Sequence, residues 1–127
     1  MNQAQELGRY AEDLAAKYLL SIGWRILARN IKNKYGELDI IADDSGELVI
    51  VEVRCRTENN FQSALDSVNK RKIRALIRSS SSYVDSIGWV GFWRIDVIAI
   101  TVRRCTVPDD FELEHIRSIT DGMELSF

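Results

Sequence analysis

The stretch GELDIIADDSGELVIVEVR, residues 36–54, decides the fold. Two apolar, β-branched runs flank Asp44-Ser45-Gly46-Glu47, a polar, glycine-containing tetrapeptide of the kind that closes a β-hairpin. A two-residue or a four-residue loop gives the same register, with Asp39 opposite Glu52, Glu37 opposite Arg54 and Ile41 opposite Ile50 on one face. Leu38, Ile40, Ala42, Val49, Val51 and Val53 then form an entirely apolar opposite face, which predicts a helix packed against it.

That register raises a question about charge. Directly opposed carboxylates in a ladder have Cβ atoms about 4.5–5.5 Å apart, which costs stability unless something neutralises them. A hard divalent cation such as Mg²⁺ or Mn²⁺ would do so, held by the two acids with water or substrate phosphate completing its shell. A raised pKa on one acid would also do so and suits proton transfer. The bland alternatives are a solvated sheet face, or acids satisfied by Arg54 and Arg56.

Outward from the hairpin, Leu7, Tyr10, Ala11, Leu14, Ala15 and Tyr18 recur at helical spacing ahead of Gly23, so the first 20 or so residues read as a helix with a glycine stop. Strands are expected over 24–30, 36–42 and 48–56. A second helix beginning near Ser63 or Asp66 would turn Leu65, Val68, Ile73, Leu76, Ile77 and Val84 to the core, leaving Lys70, Arg74 and Arg78 as a basic ridge. Residues 92–102 read as a further strand, and 111–119 as a strand or short helix. The order is α-β-β-β-α-β, an α/β sandwich with a mixed central sheet and helices on one or both sides.

At 127 residues, 46% hydrophobic and 28% charged with one proline, the chain reads as a single ordinary globular domain. No apolar run approaches the roughly 20 residues that span a bilayer, and no signal-peptide pattern opens the sequence, so a cytoplasmic location and no membrane partner are expected. Cys55 and Cys105 lack zinc-ligand spacing and read as reduced thiols. The net charge of −2 is unevenly spread. Residues 106–127 form an acidic segment, whereas Arg25, Arg29, Lys32 and Lys34, and then Lys70, Arg71, Lys72, Arg74 and Arg78, form acid-free basic clusters that suit phosphates or simply a solvated face. There is no glycine-rich phosphate loop and no nucleophile motif; His115 has no sequence neighbour at metal or triad spacing. Trp24, Trp89 and Trp93 are expected in the core or at strand ends rather than stacked on bases.

Gly8-Arg9-Tyr10-Ala11-Glu12, Gly36-Glu37-Leu38-Asp39, Val51-Glu52-Val53-Arg54-Cys55-Arg56, the Lys70/Lys72/Ile73 helix and Arg94-Ile95-Asp96-Val97 together resemble the PD-(D/E)XK nuclease core. Within it they are most similar to small bacterial YraN-like proteins, relatives of archaeal Holliday junction resolvases. The resemblance runs from about residue 7 to residue 100. It implies a restriction-endonuclease-like fold and metal-dependent cleavage of structured, branched or junction-type DNA. It also implies a Mg²⁺ or Mn²⁺ ion held by Asp39, Glu52 and the Val53 carbonyl, with Glu12 reaching it directly or through water, and it leaves room for a homodimer. Gly8, one turn before Glu12, would keep that face uncrowded.

Arg54 stands where the catalytic pattern has lysine. Arginine can clamp a phosphate but cannot serve as a base, so hydrolysis could have lapsed, or Lys70 or Lys72 could replace the missing lysine. Lys70, Lys72, Arg74 and Arg78, with Arg9, Arg29 and Lys32, are the expected phosphate contacts, which position DNA without reading its sequence. A lapsed nucleic-acid-binding module and a protein-interaction domain are the alternatives to a nuclease. Asp96 reads as structural, paired near Arg94 or with a helix lysine.

Overall fold

The computed structural model describes residues 3–58, 69–103 and 110–120. Its elements are α1 (Gln3–Ser21), β1 (Arg25–Asn33), β2 (Gly36–Asp44), β3 (Glu47–Thr57), α2 (Lys70–Ser86), β4 (Trp93–Val102) and β5 (Phe111–Ile116). The five strands make one sheet in the order β1-β2-β3-β4-β5. Only β3 and β4 run parallel, as the intervening α2 requires; the other neighbours are antiparallel. This is the expected α-β-β-β-α-β core with a mixed sheet, and residues 111–116 resolve as a strand.

The local causes are visible. At the end of α1 the Trp24 N–H donates to the Leu19 carbonyl at 3.0 Å and the Gly23 N–H to Leu20 at 3.1 Å, with Gly23 at φ 89°. That 6→1 closure needs a left-handed residue, hence glycine. The β2–β3 turn places Ser45 at φ 51° and Gly46 at φ 95°, the consecutive left-handed pair whose twist suits a two-residue hairpin. Asp43 Oδ1 accepts the Gly46 N–H at 2.9 Å and holds the turn.

The register is the expected one from Asp44–Glu47 to Ile40–Val51, but the ladder ends there. The backbone pairing expected for Asp39 with Glu52 and for Glu37 with Arg54 does not form. In its place the Asp39 carboxylate accepts the Val53 N–H at 2.8 Å, so a side chain replaces a strand carbonyl. The alternation of faces also breaks at this point. Ile40, Ala42, Val49 and Val51 pack with α1, as expected, whereas Leu38 joins Ile41, Leu48 and Ile50 against α2. Asn30 of the neighbouring strand, between the Arg29–Ile40 and Ile31–Leu38 pairs, sits at φ 55° beside this break.

One helix therefore covers each face of the sheet. Ala11, Leu14, Ala15 and Leu19 bury one face; Leu76, Ile77 and Val84 bury the other. Trp24 is buried, and Trp89 and Trp93 pack against the α2-side core. The described α2 starts at Lys70, where extended Asn69 caps it: its side chain accepts the Lys72 N–H at 3.0 Å. The start expected near Ser63 or Asp66 lies outside the described residues. Leu65 and Val68 lie outside the described residues. Among the described residues no helix is long and apolar enough to cross a membrane.

Fully buried Asp96 organises the far end of β4. It accepts from Arg94 Nε at 3.0 Å and from the Ser118 N–H at 2.9 Å, and lies 2.9 Å from His115 Nε2; His115 Nδ1 in turn meets the Tyr18 hydroxyl at 2.9 Å. His115, partnerless in the linear sequence, thus links β5, β4 and α1. Arg94 also reaches Asp44 at 3.0 Å and Glu47 at 2.9 Å, which ties the hairpin to the same buried carboxylate. Of the acidic segment, Asp110 and Glu112 pair with Arg103. Residues 104–109, including Cys105, and 121–127 lie outside the described residues.

Candidate active site

Where the β2–β3 ladder ends, Asp39 and Glu52 come together. Burial, followed by the negative charge of Asp39, pushes the Glu52 pKa up to about 8. Arg54 and Lys72 oppose that rise without cancelling it. Arg54 Nη1 sits 3.9 Å from Glu52 Oε1, so its ion pair is with its own strand's acid and not the expected cross-strand partner Glu37. Asp39, Glu52, Glu37, Arg54 and Lys72 line one pocket of about 290 Å³.

The third acid comes from α1. Glu12 lies close enough to Asp39 for that charge, after burial, to raise its pKa, while Arg29 pulls it down. Its oxygens are turned to other partners: Arg29 Nη2 at 3.4 Å and, with the Asn30 amide oriented to donate, Asn30 at 3.1 and 3.2 Å. The same Asn30 amide reaches Glu37 Oε1 at 3.2 Å. The left-handed residue beside the break in strand alternation, Asn30, therefore also bridges two acids of the site. Gly8 has no heavy atom within 4 Å of where a Cβ would stand, and it lines the groove beside Glu12, as expected.

Among the described residues no three His, Cys, Asp or Glu side chains gather closely enough to hold one ion. The donor set is thus two carboxylates, Asp39 and Glu52, with Glu12 acting through its charge. Two hard oxygen donors that must otherwise share a proton suit a divalent cation whose other positions are filled by water, phosphate or a backbone carbonyl such as that of Val53.

The expected cations divide into three groups. Lys72, not Lys70, faces the acids: its pKa is lowered by partial burial and then by Arg54, and raised by Glu52 and Asp39. Lys70, Arg74 and Arg78 are exposed along α2. Arg9, Arg29 and Lys32 line the groove on the Glu12 side, where Arg29 is engaged with Asp13 at 2.8 Å as well as with Glu12. The first turn of α2 holds Lys70, Arg71 and Lys72 and no acid, three cations at the positive end of a helix dipole. Asn30 and Glu37 are functional candidates that side-chain chemistry alone did not single out. The available signal was an asparagine, a residue tolerant of φ > 0, inside a β-like run.

A mixed α/β sheet with an acid pair at the frayed end of a hairpin, flanked by lysine and arginine, defines the class. Residues 11–100 match the profile described as "Uncharacterised protein family UPF0102", and the chain belongs to that family. It is 37% identical to a UPF0102 protein of Herpetosiphon aurantiacus over 119 residues, 90% of this chain and 93% of the relative. It is 39% identical to one of Chlorobium chlorochromatii over 118 residues, 91% and 92% of the two chains, and 38% identical to one of a Sulfurihydrogenibium species over 101 residues, 79% and 87%.

Proposed function

We propose that this protein is a nuclease of the PD-(D/E)XK type that binds structured DNA and hydrolyses a phosphodiester with Mg²⁺ or Mn²⁺ held between Asp39 and Glu52. The observation that carries this reading is the Asp39–Glu52 pair itself: two carboxyls that line one pocket with Arg54 and Lys72. A divalent ion there lowers the pKa of bound water and offsets charge on the scissile phosphate. Asp39 is held in position by the Val53 N–H. Arg54 supplies fixed positive charge, and Lys72 occupies the role of the lysine that the strand lacks. Arg9 and Lys32 on one side, and the cationic first turn of α2 on the other, contact backbone phosphates without reading bases.

A second reading rests on Arg54. A site whose strand cation cannot lose a proton supports DNA binding without turnover if Lys72 does not compensate. The two are separated by incubating branched, flapped and single-stranded DNA with Mg²⁺ or Mn²⁺, using wild type, Asp39→Ala, Glu52→Ala and Arg54→Lys. Metal-dependent cleavage lost in both alanine variants supports the nuclease. Salt-sensitive binding with cleavage only after Arg54→Lys supports the lapsed enzyme, and neither binding nor cleavage overturns both.

A further inference from the structure

We infer that Arg56 forms a second phosphate position in this site, taking the phosphodiester next to the scissile one on the same nucleic-acid strand. The inference deepens the nucleic-acid reading above and rests on it. Four observations lead to it.

First, Arg56 lacks the partner that its equivalents have. Among the strand arginines, Arg25, Arg29, Arg54 and Arg94 each have a carboxylate within 4 Å. Arg56 has no carboxylate partner among the described residues. Its Nη1 donates only to the carbonyl of its own neighbour Cys55, at 3.1 Å, and its Nε–H is buried without an acceptor. A buried guanidinium N–H left without an acceptor is unfavourable, and an incoming anionic oxygen would satisfy it.

Second, the space to admit one exists. Arg56 lines a pocket of about 300 Å³ between β3 and α1 together with Arg54, Asp39 and Glu12. Ala4, Leu7, Gly8, Ala11 and Glu12 form its α1 wall, and Gly8, with open space where a Cβ would stand, leaves it room.

Third, positive charge is concentrated here. Arg54 and Arg56 both lie near enough to Lys72 to act on it as like charges. This local positive charge favours an anionic group beside Arg56.

Fourth, the spacing fits. Residues 54 and 56 fall on the same side of β3, about 6.6–6.8 Å apart along the strand. Neighbouring phosphates of one nucleic-acid strand are separated by a comparable distance, so consecutive phosphates can meet consecutive arginines. Direct satisfaction of Asp39 or Glu52 by Arg56 is not what the geometry holds.

The test is binding of a fluorescent single-stranded decanucleotide in EDTA across a salt series, comparing wild type with Arg56→Gln and Arg56→Lys. Arg56→Gln is expected to weaken binding about tenfold and to reduce the salt slope by about 0.7, one phosphate contact on a single strand. Arg56→Lys is expected to keep the slope while losing part of the affinity, since a point charge replaces a fork. An unchanged slope in Arg56→Gln beside a wild type that binds overturns the Arg56 assignment alone. A wild type that binds neither this oligonucleotide nor a branched DNA junction overturns the nucleic-acid reading, and the assignment with it; one that binds only the junction overturns the assignment alone. Should Arg56→Gln fail to fold, the wild-type Arg56 Nε–H resonance decides. It should shift downfield on addition of the oligonucleotide, and a resonance that stays in place overturns the assignment.

Discussion

The Asp39 carboxylate accepts the Val53 N–H at 2.8 Å, so the acid of β2 is fastened to the backbone position next to the acid of β3. The hairpin stops pairing backbone to backbone at Ile40–Val51, and this bond takes over. It both ends the ladder and fixes the spacing of the site.

Substitutions at Asp39 should therefore separate stability from chemistry. Asp39→Asn keeps an acceptor for the Val53 N–H and should melt within a few degrees of wild type while losing cleavage. Asp39→Ala leaves a half-buried N–H unsatisfied and should cost about 1–3 kcal/mol, a fall of several degrees in Tm. Calorimetry on the two variants checks this; equal melting temperatures would contradict the structural role.

Lysine substitutions on α2 should differ by position. Lys72 lines the pocket of the acids and Lys70 does not, although both sit in one helical turn. Lys72→Gln is expected to lower single-turnover cleavage about 10²–10³-fold, the usual effect of removing one group that stabilises transition-state charge. Lys70→Gln should change it less than a few-fold while still reducing salt-dependent binding.

Acid stability should depend on Asp96. Despite burial, its hydrogen bonds to His115, Ser118 and Arg94 hold its pKa below the ordinary aspartate value. A carboxyl with a depressed folded pKa contributes stability that is complete above its unfolded pKa, about 4, and is lost as pH falls through the folded value. Asp96→Asn should therefore be less stable than wild type at pH 7 by about 3–5 kcal/mol, since it strands the buried end of Arg94. The gap should narrow as pH falls below about 4, as urea titrations from pH 7 to pH 2 would show.

Much of this was legible in residues 36–54. Ser45-Gly46 and the flanking alternation dictate the hairpin and its register as far as Ile40–Val51, and Asp39 and Glu52 follow directly beyond that pair. What escaped depends on contacts between distant segments. Leu38 changes face beside Asn30, which adopts φ 55° on another strand. Arg54 turns to Glu52 because the ladder has already ended, leaving Glu37 to Asn30. His115 gained partners only when β5 paired with β4 and brought it between Asp96 and Tyr18. The Asn69 cap at the start of the described α2 is a local signal, an asparagine three residues before the Lys72 N–H that it accepts.

The most direct test of the central claim is isothermal titration of Mn²⁺ into wild type and into the Asp39→Asn/Glu52→Gln double variant, at pH 8. Wild type is expected to bind saturably, more weakly as pH falls toward 6 because Glu52 must give up its proton to accept the ion, and the double variant not at all. Equal binding by both proteins, or none by a folded wild type, would contradict the claim.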